Sequence, residues 1–184
     1  FKDRVAVFNK TQVAVVLQEL CSRRVPGGVG SVDYSRSSAA CNAEGSVSLR
    51  GGDIQQLVAE AYLDVANQKY GGADITLQSG GGVRIPLQGT VTAAQVIQVL
   101  PFGNMLFRLD ITGAEVKGML EDGLHAVYGP GGSTGPYPYT GGLRFDVNTT
   151  AALGARVSNI QVRNPTTGAW GPLDAGTTYK LFVL

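Results

Sequence analysis

Helix-start signals alternate with short β-patterned runs along this chain, and that interleaving restricts the fold more than any single motif. Three positions carry the N-cap and N3 pair of a capping box: Asp53 with Gln56, Thr92 with Gln95, and Thr112 with Glu115. Behind Asp53 the apolar residues Ile54, Leu57, Val58, Ala61 and Val65 recur at helical spacing, as do Val116, Met119, Leu120 and Val127 behind Thr112. The middle helix is short, because Pro101 stops it. Each predicted helix therefore has one apolar stripe to bury.

Strands fill the intervals. The run ADITLQ turns Ile75 and Leu77 to one side, and NMLFRLDI does the same with Met105, Phe107, Leu109 and Ile111, which predicts a core position for Phe107. GGLRFDV, RVSNIQV, TYKLFVL and the early QVAVVLQEL read similarly. Helices and strands mix without strict βαβ alternation, which predicts an α+β fold, a mixed-sheet sandwich with flanking helices. The stretch YGPGGSTGPYPYTGG, residues 128–142, reads as loop by composition. With 184 residues and no segment suited to an interdomain linker, the chain is expected to form one domain over residues 1–184.

Charge narrows the partners. The formal net charge is +1 and Lys and Arg form no run, so no nucleic-acid footprint or membrane-surface patch is indicated. No apolar stretch approaches the roughly 20 residues of a spanning helix. The partner is expected to be small or compact. Phe1 stands where Met would begin a chain, and TYKLFVL ends inside a strand pattern, so the expectation is a piece of a longer polypeptide. Cys21 and Cys41 flank a Gly/Ser-rich segment outside any apolar period, which favours a disulfide over two reduced core thiols. Closing a loop of about twenty residues is worth about 3 kcal/mol, and a disulfide implies export. With only His125 as a further soft ligand, they make a poor metal site.

In ADITLQSGGGVRIP the strand runs into Gly80, Gly81 and Gly82 and then Arg84. Three residues without a Cβ permit positive φ and close approach of another group. A Walker A loop fails for want of Lys followed by Ser or Thr, and a dinucleotide fingerprint fails because Pro86 follows where a helix should open. What remains is a tight turn from which Arg84 projects a donor fork suited to carboxylate, phosphate or ribose, or else lies solvated or paired to an acid. In LPFGNMLF, Pro101 and Gly103 place Phe102 at a surface corner. There it either stacks on a planar ligand, a contact worth about 1–3 kcal/mol for a base, or tucks under the corner. No nucleophile–base–acid set is visible, and the adjacent Glu121 and Asp122 suit a solvated helix face. The residues offer binding groups without catalytic ones.

Five ordered blocks, GGDIQQLVAEAYLD, ITLQSGGGVR, GTVTAAQVIQVLPFGN, LFRLDITGAEVKGMLE and TGGLRF, resemble the carboxy-terminal domain of the 5′-nucleotidases, the family of UDP-sugar hydrolase and ecto-5′-nucleotidase. The resemblance runs from about Arg24 onward. It implies an exported enzyme, periplasmic, secreted or at the cell surface. A separate amino-terminal metallophosphoesterase domain, absent here, would hydrolyse nucleoside phosphates with two divalent metal ions, while this domain holds the nucleoside.

By the same resemblance, Arg84 matches the arginine of the Gly-Gly-Gly-Ile/Val-Arg motif and would contact ribose or phosphate, and the glycines would let the nucleotide approach. Phe102 matches the first of two aromatics that sandwich the base. Ser79 stands where the family usually has Asn, with fewer hydrogen-bonding options. A further family arginine corresponds to Arg24, Arg36 or Arg50. The second aromatic would fall just after Leu184, so the expectation is a domain truncated there, binding weakly and hydrolysing nothing alone. A rival reading is a surface interaction module that kept the fold and lost nucleotide binding. A third keeps the enzyme but gives it UDP-sugars, cyclic phosphodiesters or nucleic acid as substrate.

Overall fold

A computed structural model describes residues 2–26, 38–43 and 45–184. Helix α1 (Lys2–Lys10) leads into strand β1 (Gln12–Leu20), two short helices α2 (Ala39–Ala43) and α3 (Gly45–Arg50), and the long helix α4 (Asp53–Lys69). Strand β2 (Ile75–Ser79) passes through a 3₁₀ turn, Gly80–Gly82, to β3 (Leu87–Thr92), α5 (Ala93–Val99), β4 (Phe107–Thr112) and α6 (Gly113–Tyr128). Five strands complete the chain: β5 (Pro138–Gly141), β6 (Leu143–Val147), β7 (Val157–Arg163), β8 (Trp170–Pro172) and β9 (Thr178–Val183).

The central sheet has the order β4-β9-β2-β5. Strands β2 and β9 run parallel, whereas β4 and β5 pair antiparallel to them, so the sheet is mixed. Because side chains alternate across a strand, Ile75 and Leu181 join Val116, Leu120 and Leu124 of α6 on one face. On the other face Phe182 packs with Leu63 and Ala66 of α4, and Thr76 donates a hydrogen bond to the Ala59 carbonyl at 2.6 Å. Two smaller sheets flank this centre. The sheet β6-β7-β8 extends the α6 core through Leu143 and Val157. The antiparallel pair β1-β3 closes over Ile54, Val58 and Val99. The result is the expected mixed α+β architecture with helices on both faces of the central sheet. Cys21 and Cys41 form the expected disulfide, with Cα atoms 5.5 Å apart.

The structure corrects several local expectations. Helix α4 has Gly52 as its N-cap with no side-chain cap. The Asp53 carboxylate instead accepts from the Cys21 amide at 3.1 Å, and the Gln56 amide donates to the Thr140 carbonyl at 2.8 Å. Tertiary partners have taken both members of that box, while those at Thr92 and Thr112 form in full. The buried stripe of α4 runs through Ile54, Val58, Leu63 and Ala66, leaving Leu57 and Val65 exposed. Phe107 is 57% exposed and outside the core, because β4 is an edge strand whose α6 cover reaches Ile111 but not Phe107 or Leu109. Residues 138–141, read as loop, are instead the fully buried strand β5.

Glu121 also departs from the solvated face expected of it. It is buried and accepts three backbone N–H groups, from Gly154, Arg156 and Val157, at 2.7–3.2 Å. Asp122 is exposed.

Candidate functional site

The three glycines are explained by close packing. The Gly80 amide donates to the Tyr137 carbonyl at 2.8 Å, and the Gly81 amide to the Gly135 carbonyl at 2.9 Å. A Cβ at Gly80 would lie 2.5 Å from the Arg24 carbonyl oxygen, and one at Gly81 would lie 2.8 Å from the Gly135 Cα. A Cβ at Gly82 would overlap the Gln78 amide. None of the three adopts positive φ, so the groups that approach Gly80 and Gly81 are the chain's own backbone. The missing side chains let the turn lock between residue 24 and the 135–137 segment.

Arg84 fastens this turn to the corner at Phe102. Its amide donates to the Val99 carbonyl at 3.0 Å, and its Nη1 donates to the Gly81 carbonyl, also at 3.0 Å. Its guanidinium carbon lies over the Phe102 ring, 5.8 Å from the centroid. One arm of the fork is therefore held by the turn itself. Phe102 follows α5, and Gly103 at φ +62° redirects the chain, leaving the ring 59% exposed.

Beside that ring opens a cavity of about 580 Å³, within the range of small-molecule sites. It lies at the carboxyl ends of the parallel strands β2 and β9, where ligands commonly bind in sheets with parallel strands. Helix α4 contributes Tyr62 and Val65, and its C-cap Tyr70; β2 and the turn contribute Gln78, Ser79 and Gly82. The 100–106 corner adds Phe102, Asn104 and Met105, and Phe182 closes the sheet side. Among the described residues no side chain lining the cavity is charged, so the cavity suits a flat neutral group rather than a phosphate. Burial pushes the Tyr62 phenol up to about 12, so it keeps its proton at neutral pH.

Of the residues singled out from the sequence, Ser79, Gly82 and Phe102 line this cavity. Gly80 and Gly81 stand behind it, Arg84 lies beside Phe102, and the Arg24 backbone packs on Gly80. Arg50 lines a separate pocket of about 310 Å³ with Tyr139, Arg144 and Trp170. Arg36 lies outside the described residues. Sequence reasoning missed Tyr62, Gln78 and Asn104. A signal existed for the first, since Tyr62 and Val65 stand at the i, i+3 spacing that shares a helix face.

Among the described residues no group of three or more His, Cys, Asp and Glu side chains could hold a metal ion. Among the described residues the cavity likewise brings no side-chain carboxylate or His to a position for acid–base chemistry. The arrangement can bind and orient.

Comparison with known proteins gives a consistent picture. A family model described as 5′-nucleotidase, C-terminal domain, matches residues 28–184. The chain is 35% identical over 157 residues to the NAD 5′-nucleotidase of Haemophilus influenzae, covering 84% of this chain and 24% of that protein. It is 37% identical over 147 residues to a probable 5′-nucleotidase of Treponema pallidum, covering 78% and 23%. The solved structure of the Haemophilus influenzae NAD nucleotidase superposes with a TM-score of 0.76 at 28% identity, over 99% of this chain and 29% of that one. The chain thus spans about a quarter of the length of the curated relatives it matches.

Proposed function

Since this chain belongs to the family of 5′-nucleotidase C-terminal domains, we propose that it is the part of a nucleotide-hydrolysing enzyme that holds the nucleoside of the substrate. The observation that carries this reading is the uncharged, aromatic-lined cavity of about 580 Å³ with Phe102 exposed at its edge. Phe102 would stack on the base. Ser79 and Arg84 would orient the sugar, Arg84 through the arm of its guanidinium that Gly81 does not hold. NAD, named in one relative, and nucleoside monophosphates share a nucleoside 5′-phosphate, which fits a site that grips the nucleoside.

Among the described residues, no group of His, Cys, Asp and Glu side chains fits the two divalent metals that the resemblance implies. Hydrolysis and its metals are assigned to an amino-terminal metallophosphoesterase domain of the same polypeptide. What this domain supplies is remote binding energy that positions the phosphoryl group. Export to the periplasm or outside the cell is part of the reading, supported by the Cys21–Cys41 disulfide.

The test is a calorimetric or NMR titration of the chain, and of a version extended past Leu184, with nucleoside monophosphates. Binding that is weakened about tenfold by Phe102→Ala supports the reading. Silence from both folded proteins overturns it in favour of a non-nucleotide interaction module.

A further inference from the structure

Two polar side chains in the cavity have no part in the reading above, and their hydrogen bonds fix what they can offer a ligand. Gln78 is 1% exposed, and its Nε2 donates to the Ser79 carbonyl at 2.7 Å. Only the amide nitrogen can donate to a carbonyl, so the orientation of the Gln78 side chain is determined. Its Oε1 then faces the Tyr62 hydroxyl at 3.1 Å. Two oxygens at that distance share one proton, and it belongs to the phenol. Tyr62 must donate to Gln78. Its oxygen has no second proton to give and retains lone pairs as an acceptor.

Gly82 belongs to the same device. Because a Cβ there would overlap the Gln78 amide, the third glycine keeps open the space in which that amide is held. Gly82, Ser79, Gln78 and Tyr62 all line the cavity, so the chain of bonds from the Ser79 carbonyl through Gln78 ends at an acceptor on the cavity wall.

We propose that Tyr62 is a specificity-determining residue that accepts a hydrogen bond from an exocyclic amino group of the bound base, selecting amino-bearing bases over their keto counterparts. This rests on the nucleoside-binding reading and adds to it the class of base. A keto oxygen placed at Tyr62 meets another oxygen with no proton between them, a lone-pair repulsion that costs more than a missing bond. Rotating the phenol proton toward the ligand does not help, since it leaves the buried Gln78 oxygen without its donor. Burial keeps the phenol protonated throughout the physiological range, so the preference holds across that range.

AMP and IMP, which differ at the C6 substituent and the adjoining ring nitrogen, are the probes. Titrated calorimetrically against the whole chain, AMP is expected to bind about five- to tenfold more tightly than IMP. Tyr62→Phe keeps the ring and removes the acceptor, so it should bring the AMP:IMP ratio to about one, by weakening AMP and by relieving the repulsion on IMP. Gln78→Met frees the phenol proton and should move the ratio toward IMP, with circular dichroism confirming that each variant is folded. Nucleotide binding with equal affinities in the unaltered protein overturns this inference alone. So does an AMP preference that survives Tyr62→Phe. Failure of both the folded chain and the version extended past Leu184 to bind either nucleotide overturns the nucleoside-binding reading and this inference with it.

Discussion

At Gly80 one methyl group decides between fold and strain. The Cβ of Gly80→Ala would press on the Arg24 carbonyl oxygen and Cα, both backbone atoms that cannot swing aside. Overpacking of this kind costs roughly 1–3 kcal/mol, and a urea-denaturation midpoint should fall accordingly. Gly118 is the contrasting case, because it lies inside α6 with nothing within 4 Å of a built Cβ and no positive φ. Gly118→Ala should stabilise the protein by roughly 0.5–1 kcal/mol, since it removes unfolded-state freedom without a clash. Both substitutions look alike on paper. Phe102 was legible at this scale because Pro101 and Gly103 bracket it. Gln78 was not, for a polar residue in a β run gives no sign that burial and the Ser79 carbonyl will fix its amide.

The helix starts show local chemistry both succeeding and being overruled. Thr112 and Glu115 bond reciprocally, so Thr112→Ala should cost about 1 kcal/mol of stability in chemical denaturation. Asp53 has the same pattern, yet its carboxylate serves the Cys21 amide. A cap is a short-range bond worth about as much as any other, and a well-placed tertiary donor can take its acceptor. Glu121 carries this further, for it ties α6 to the segment entering β7. Burial alone would raise its pKa, but three backbone N–H donors outweigh that and hold the carboxyl below the ordinary value of 4.5. A carboxyl with a depressed folded-state pKa stabilises fully above its unfolded pKa and loses that contribution as pH falls through the folded value. Glu121→Gln should therefore lower the urea midpoint at pH 7 by the equivalent of roughly 1–3 kcal/mol. The gap from the unaltered protein should narrow in acid, and a gap as wide at pH 3 as at pH 7 would refute the assignment.

For the whole molecule, the disulfide joins the segment after β1 to helix α2. Cys21 bonds Asp53, and the Tyr139 hydroxyl donates to the Arg23 carbonyl, so the disulfide-bonded segment is clamped onto α4 and β5. Reduction, or Cys41→Ser, should lower stability by about 3 kcal/mol. Calorimetric melts with and without reductant will measure it. The sequence by itself determined helices α4, α5 and α6, most strands, the mixed α+β class, the disulfide and the surface corner that carries Phe102, because each rests on periodicity, turn chemistry or composition within a few residues. Only the tertiary structure decided that β9 lies between β4 and β2, that residues 138–141 form a buried strand, and that Tyr62 and Gln78 meet in the cavity beside Phe102. Those facts arise from pairings between segments far apart in the chain. Burial from several elements at once chooses among local patterns that look alike, and no single stretch of sequence contains it.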